Sequence, residues 1–345
     1  MCDFSGFLIY LISLVLVLSS AVLANKLKIL TLAIFLGVGI LAAFRGTAGV
    51  DTPLYLLRFE YLTFDFVDDI GSFLLLEPIS FLMMWLVKYC GGTFSVFSLM
   101  YGLILSLLYY YILRRFPNAV YFAAAILPVI FIDSLFNGIR VGLAYPILFL
   151  AISGGSFLLI LIAAMVHVSS LLVAPLRYYS LSKVLIVLSL LSLVFILIES
   201  AGIHILEYLP SRYISKMDVY STLAPSTGYA GFADSIGLCF ALIIYYRVSG
   251  SRGNQWINIS IMTFVVVGFL YYFNIKEYSV ALRIVRLLMI AVFALIARCD
   301  SKFDRLSYVL CIIFGVLYSS NFLRQIVASC SYPEGGFLPL DLTFY

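Results

Sequence analysis

Residues 94–113 read FSVFSLMYGLILSLLYYYIL, from Phe94 to Leu113, with no charged side chain until Arg114-Arg115. About 20 apolar residues in a helix cross a hydrocarbon core. Within that core a helix satisfies every backbone N–H and C=O from its own segment. Similar apolar runs recur on both sides, at 4–24, 27–44, 73–89, 119–133, 138–152, 156–175, 183–199, 231–248, 257–273, 281–297 and 306–321. The expectation is an all-α, polytopic integral membrane protein with about twelve transmembrane or re-entrant helices, in a single transmembrane domain over residues 1–345. Composition agrees, because 64% of the 345 residues are hydrophobic and only 11% are charged, a balance that a water-soluble domain of this size does not present to solvent.

The formal charge of +4 is small and scattered, which gives no basis for nucleic-acid binding. Cys2, Cys90, Cys239, Cys299, Cys311 and Cys330 form no Cys-x-x-Cys pair and mostly lie in or beside apolar runs, so they read as packing residues. With no His, Cys or paired carboxylates at ligand spacing, neither a metal nor another cofactor is expected. Met1-Cys2-Asp3-Phe4 lacks the basic flank of a secretory signal, and the first apolar run is expected to be retained as a helix.

Charge, glycine and aromatic residues first interrupt the apolar sequence at Phe44-Arg45-Gly46-Thr47-Ala48-Gly49-Val50-Asp51-Thr52-Pro53-Leu54-Tyr55, which continues to Arg58-Phe59. Asp51 followed by Thr52-Pro53 reads as an N-cap with proline in the first helical turn. In that helix Asp51, Tyr55 and Phe59 share one face. Two readings are open: Arg45 and Asp51 line the rim of an active site, or Asp51 only caps a helix and Arg45 only snorkels to the interface. Residues 45–72 form an extracytoplasmic, semi-polar excursion in which Asp65, Asp68 and Asp69 read as a solvated turn.

Lys26 and Lys28 mark the first inter-helix loop as cytoplasmic. Counting one crossing per apolar run also places Lys88, Arg177, Lys183, Arg247, Arg252, Arg298, Lys302 and Arg305 inside, with both termini outside and Arg140 near the inner face. The same count puts Arg114 and Arg115 outside, against the positive-inside rule, which points to a re-entrant run somewhere in 119–152. Glu77, before Pro78, is either a helix-start acid or a site residue facing Arg45. Arg140 in Asn137-Gly138-Ile139-Arg140 sits at or inside a membrane boundary beside small residues. His167 lies within an apolar run, as a hydrogen-bonded core residue or a functional one. Residues 200–230 form the longest polar loop, facing the same side as Asp51 and carrying Arg212-Tyr213 and Tyr220. Arg283 and Arg286 share one helix face, either binding a multiply charged anion or snorkelling to lipid phosphate. A convergence of Arg45, Arg140, Arg212, Arg283 and Arg286 on one extracytoplasmic anionic cavity is expected.

Taken in order, these pieces resemble the EpsG-like branch of the Wzy-type O-antigen and exopolysaccharide polymerases. Phe44-Arg45, Gly49-x-Asp51, Tyr55 and Phe59 resemble the first motif of that family. Glu77-Pro78, Phe136-Asn137-x-Ile139-Arg140 with Ala144, His167-x-Ser169-Ser170 with Pro175, and Arg212-Tyr213 before Tyr220 are similar to later ones. Val141 stands where a glutamine is common in the family, and Val50 where a threonine is common; neither change removes a charged position.

The resemblance implies a glycosyltransferase of the bacterial cytoplasmic (inner) membrane, with its active site facing the extracytoplasmic side. It would move a glycan from one polyprenyl (undecaprenyl) pyrophosphate to another lipid-linked repeat unit, with the bilayer and a chain-length regulator as further partners. Such a reaction needs cations to stabilise the leaving pyrophosphate and a base for the acceptor hydroxyl. Arg45, Arg140, Arg212, Arg283 and Arg286 would serve the first need, and Tyr55, Tyr213 and Tyr220 would contact sugars. His167 is assigned as base, with Asp51 orienting the hydroxyl or an arginine and Glu77 as third candidate. The competing readings are a lipid-linked oligosaccharide flippase or other transporter, against which no matching halves are visible in the sequence, and a glycan ligase.

Overall fold

The computed structural model describes residues 4–23, 27–46, 48–49, 52–62, 78–181, 183–187, 190, 194, 230–249, 285–299 and 303–328, and all regular structure among them is helical. The helices that matter here are α1 (Phe4–Leu23), α2 (Lys28–Leu41, prolonged by a 3-10 turn over Ala42–Phe44), α3 (Thr52–Tyr61), α4 (Pro78–Tyr89), α5 (Phe94–Arg115), α6 (Ala119–Ala125), α7 (Leu127–Phe136), α8 (Ile139–Gly154), α9 (Phe157–Val166), α10 (Ala230–Ser249), α11 (285–298) and α12 (Arg305–Ala328). The chain divides into two compact units, one comprising Met1–Leu171 with Phe293–Tyr345 and the other Leu172–Val292.

In the first unit α2 and α5 pair antiparallel. Gly39 and Gly102 meet so closely that a Cβ on either would overlap the other's carbonyl, and Ser106 Oγ donates across the crossing to Phe35 O at 2.7 Å. Small residues that let backbones approach replace the hydrophobic drive that lipid cannot supply. This register brings Ser98, near the start of α5, beside Arg45 at the end of α2. It carries Arg114-Arg115, at the other end of α5, to the level at which α2 begins with Lys28.

The count of one crossing per apolar run fails at α4. This helix has 12 residues, about 18 Å at 1.5 Å per residue. Lys88 in its last turn donates from Nζ to Phe59 O at 2.8 Å and Glu60 O at 2.7 Å, the terminal carbonyls of α3. Phe59 in turn packs on Phe94 and Phe97 of α5, with ring centroids 5.9 Å and 6.4 Å apart. Lys88 therefore lies at the Arg45 end of the unit, and the chain between Arg45 and Phe94 starts and finishes at that end.

Arg114 and Arg115 accordingly fall at the Lys28 end. Arg298 and Arg305 join them there, because Asn118 Nδ2 donates to Cys299 O at 2.7 Å and the Asp304 N–H donates to Tyr121 Oη at 2.7 Å. Asp304 also caps α12, its carboxylate accepting from Leu306 N at 3.1 Å and Ser307 Oγ at 2.5 Å.

The position of Arg114 and Arg115 therefore no longer requires a re-entrant run in 119–152. Helix α6 leaves the Lys28 end and α7 reaches the Arg45 end, with a 66° bend between them. Gly315 of α12 lies against the break, where a Cβ would overlap Ala124 O. All ten residues of α7 are buried, enclosed by α1, α5, α8 and α12. A helix that is apolar but for Asp133 and Ser134, both hydrogen-bonded, belongs in such a position. Helix α8 runs back from the Arg45 end, and Phe149 near its finish contacts Phe116, with centroids 6.3 Å apart. Gly155, at φ +85°, ends α8, and Ser156 Oγ accepts from Leu159 N at 3.4 Å to start α9 as its hairpin partner.

The protein is an all-α membrane protein. Among the described residues α5 and α12 are each long and apolar enough to cross a membrane, with a third if the bent pair α6–α7 counts as one span; α1, α2, α4, α8 and α9 contain shorter apolar helices.

Candidate functional site

The first unit places two sequence motifs against each other at the Arg45 end. Past α2 the chain turns sharply, with Ala48 N donating to Arg45 O at 3.0 Å and Thr52 N to Gly49 O at 3.1 Å. Gly49 has φ +102°, and a Cβ there would overlap Phe136 O and crowd Asn137 Cα. Only glycine lets this turn seat on the α7–α8 corner that carries Phe136-Asn137-x-Ile139-Arg140.

Arg45 fastens the same junction. One terminal nitrogen donates to Leu135 O at 2.8 Å and the other to Ser98 Oγ at 3.2 Å, while the guanidinium carbon lies 5.4 Å from the Phe94 ring centroid. Its Nε has no hydrogen-bond partner. At 1% exposure Arg45 is sealed among protein groups and is not a snorkelling side chain or an open rim. Helix α3 begins at Thr52 as the sequence indicates, and Tyr55 and Phe59 share its inward face. Tyr55, also 1% exposed, lies with Tyr10 and Tyr101 within electrostatic range of Arg45.

The α7–α8 corner holds a carboxylate that the sequence reading passed over. Asp133 O accepts from the main-chain N–H groups of Asn137 and Gly138 at 2.8 Å and 3.0 Å, and Asp133 Oδ1 accepts from Asn137 Nδ2 at 3.1 Å. Tyr101 Oη donates to Ser134 O at 3.1 Å one residue on. An acid inside an apolar run is a functional candidate by default because its burial is costly. That signal was available for Asp133. The backbone of Arg140 enters at the second position of α8, next to this corner. The corner lies at the Arg45 end, so Arg140 is not at the opposite face where the crossing count had put it. The Arg140 side chain lies outside what the structure describes.

His167 is not within a helix. It is the C-cap of α9, with extended backbone at φ −155° and ψ 112°, and its carbonyl accepts from Ser170 N at 3.0 Å to open a 3-10 helix over Val168–Leu172. The side chain is buried. In the second unit Arg286 donates from Nε to Asp234 Oδ1 at 3.3 Å and Oδ2 at 3.2 Å. Asp234, on α10, is another acid at the edge of an apolar run that the sequence reading passed over. Asp51, Glu77, Arg212, Tyr213, Tyr220 and Arg283 lie outside the described residues. Among the described residues no group of three or more His, Cys, Asp or Glu could hold a metal ion.

The arrangement brings a buried cation, a cluster of phenols and a fixed asparagine to one end of a helical membrane unit. No curated protein and no solved structure matches the chain. The EpsG family matches residues 28–341, nearly the whole chain, including the Arg45 turn and the Asn137 corner that pack together. The chain belongs to the EpsG family.

Proposed function

We propose that the protein is a Wzy-type polymerase, a multi-pass glycosyltransferase of about twelve transmembrane or re-entrant helices that joins polyprenyl-pyrophosphate-linked repeat units into O-antigen, capsule or exopolysaccharide. The observation that carries the proposal is the docking of the Arg45–Gly49 turn on the Asn137 corner in a member of the EpsG family. Two motifs far apart in sequence meet where cations and hydroxyl-bearing side chains are needed for pyrophosphate release and sugar binding.

Orientation is argued from basic residues. Lys28, Arg114, Arg115, Arg298 and Arg305 gather at one end of the first unit, and the positive-inside rule makes that end cytoplasmic. The Arg45 end then faces outward from the bacterial inner membrane. Arg45, with both terminal nitrogens engaged, supplies charge behind the site, while Arg140, Arg212, Arg283 and Arg286 meet the pyrophosphate of donor and acceptor lipids. Tyr55, Tyr213 and Tyr220 serve the glycan. His167 removes the acceptor proton, Asp51 orients the hydroxyl, and Glu77 is the alternative base. The donor carries its own activation as an undecaprenyl pyrophosphate, and a chain-length regulator would act from outside this chain.

The test is incubation of the purified protein in liposomes with a synthetic polyprenyl-pyrophosphate repeat unit, followed by sizing of the products. A ladder of repeat multiples is expected. Unchanged substrate moved across the bilayer would identify a flippase, and a single transfer to a different acceptor a ligase.

A further inference from the structure

Four arginines gather where two corners of the first unit are fastened together. Asn118 Nδ2 donates to Cys299 O and Asp304 N to Tyr121 Oη, each at 2.7 Å, and the Phe303 ring stacks on Tyr121 with centroids 5.8 Å apart. Arg114 and Arg115 close α5 just before Asn118, Arg298 adjoins Cys299, and Arg305 adjoins Asp304. All four are exposed. Among the described residues no hydrogen bond or ion pair engages them. The acid of this corner serves α12 instead, the Asp304 carboxylate accepting from Leu306 N at 3.1 Å and Ser307 Oγ at 2.5 Å.

Past the arginines α12 presents an apolar face. Leu306, Val309, Ile313, Val316 and Leu317 are 45–63% exposed, and their spacing stacks them along one side of the helix. Arg305 stands on that side one turn before Val309, and Phe303, 54% exposed, lies at its head. An acidic protein segment or a free phosphate would engage the guanidiniums and leave the apolar face bare, whereas a lipid covers both. Guanidinium binds phosphate oxygens through parallel N–H bonds, and basic sites between membrane helices hold anionic headgroups. We infer that this corner is a binding site for an anionic phospholipid, with the phosphodiester on the guanidiniums and the acyl chains along α12. The site lies at the Lys28 end, away from Arg45, and is independent of the polymerase reading.

The test is titration of the detergent-solubilised protein with phosphatidylglycerol and with phosphatidylcholine, followed by native mass spectrometry of the lipid adducts. Phosphatidylglycerol is expected to bind more tightly, by at least about tenfold. Arg298→Gln with Arg305→Gln, and separately Arg114→Gln with Arg115→Gln, should each weaken it by about thirtyfold, from about fivefold for each arginine. Lysine at the same positions should recover only part of the affinity, because an ammonium lacks the planar fork. Arg324→Gln is the control. Arg324 is also exposed but lies in the last turns of α12, at its opposite end, and its loss should leave the affinity unchanged.

Equal affinity of the wild-type protein for the two lipids would overturn the inference, as would wild-type affinity in either glutamine pair or an equal loss in Arg324→Gln. Glycerol phosphate, which has the headgroup without acyl chains, separates a lipid from a free anion: binding as tight as that of phosphatidylglycerol would overturn the lipid assignment. Polyglutamate that binds more tightly than the lipid would replace it with an acidic protein partner. If a glutamine pair does not fold, the four single glutamine variants decide, each expected to lose about fivefold in affinity, and wild-type affinity in all four would overturn the site.

Discussion

The guanidinium of Arg45 and the main-chain carbonyl of Leu135 are joined by a 2.8 Å hydrogen bond that spans 90 residues of chain. Leu135 belongs to the last turn of α7, where helical carbonyls lack intrahelical donors and carry partial negative charge. A buried cation answers both needs. The same bond ties the turn bearing the first motif to the corner bearing Asn137 and Arg140, so that displacement of one displaces the other.

Removing that cation should loosen the whole junction. Arg45→Met is expected to destabilise the protein by about 2–4 kcal/mol, since Leu135 O and Ser98 Oγ lose a charged donor in a buried setting. Arg45→Lys should recover less than half of this, because an ammonium lacks the planar fork that reaches two acceptors. Thermal unfolding in detergent measures both. A wild-type midpoint for Arg45→Met would show that the bond does not hold the junction.

Two glycines with positive φ separate backbone strain from steric contact. Gly49, at φ +102°, has Phe136 O in the path of a Cβ, whereas Gly91, at φ +74°, has nothing within 4 Å. Gly91→Ala should cost about 1 kcal/mol, from backbone conformation alone. Gly49→Ala should cost at least about 3 kcal/mol and abolish activity, because overpacking adds to the strain. Equal losses of stability in the two variants would mean that the Gly49 turn is not seated on α7.

The sidedness of the helices can be read with cysteine labelling. Tyr89, beside Lys88, and Arg114 are both exposed. In a background without native cysteines, Tyr89→Cys should react with an impermeant maleimide from outside intact cells and Arg114→Cys only after permeabilisation. Counting every apolar run as a crossing gives the opposite pattern for each. Observation of that opposite pattern would refute the placement of α4.

The assignment of the base is tested by single-turnover transfer. His167→Gln is expected to slow transfer by about 10²–10⁴-fold, the usual worth of a positioned base, while binding of the lipid-linked substrate is kept. Asp51→Asn should produce a smaller loss, and Glu77→Gln the smallest. Near-normal transfer by His167→Gln together with inactive, substrate-competent Asp51→Asn would reverse the roles.

What the sequence determined by itself was whatever adds up along the chain. Hydropathy sums over neighbours, so the helical membrane class and the run 94–113, observed as Phe94–Arg115, were readable directly. The start of α3 at Thr52 was readable too, because proline in a first turn is a local signal. The family was legible because its motifs are strings in a fixed order. Direction was not. An apolar helix of 12 residues has the hydropathy of a crossing whether it crosses or returns, and only the bonds from Lys88 to Phe59 and Glu60 place it at the Arg45 end. The break between α6 and α7 has a local signal in Pro128, in the first turn of α7; what tertiary structure adds is Gly315 of a distant helix lying against Ala124 O. Partners of buried charges were decided by tertiary structure for the same reason. Arg45 on Leu135 and Arg286 on Asp234 are pairings across 90 and 52 residues, and the cost of burying an unpaired charge says that a partner must exist without saying which residue packing will bring to it.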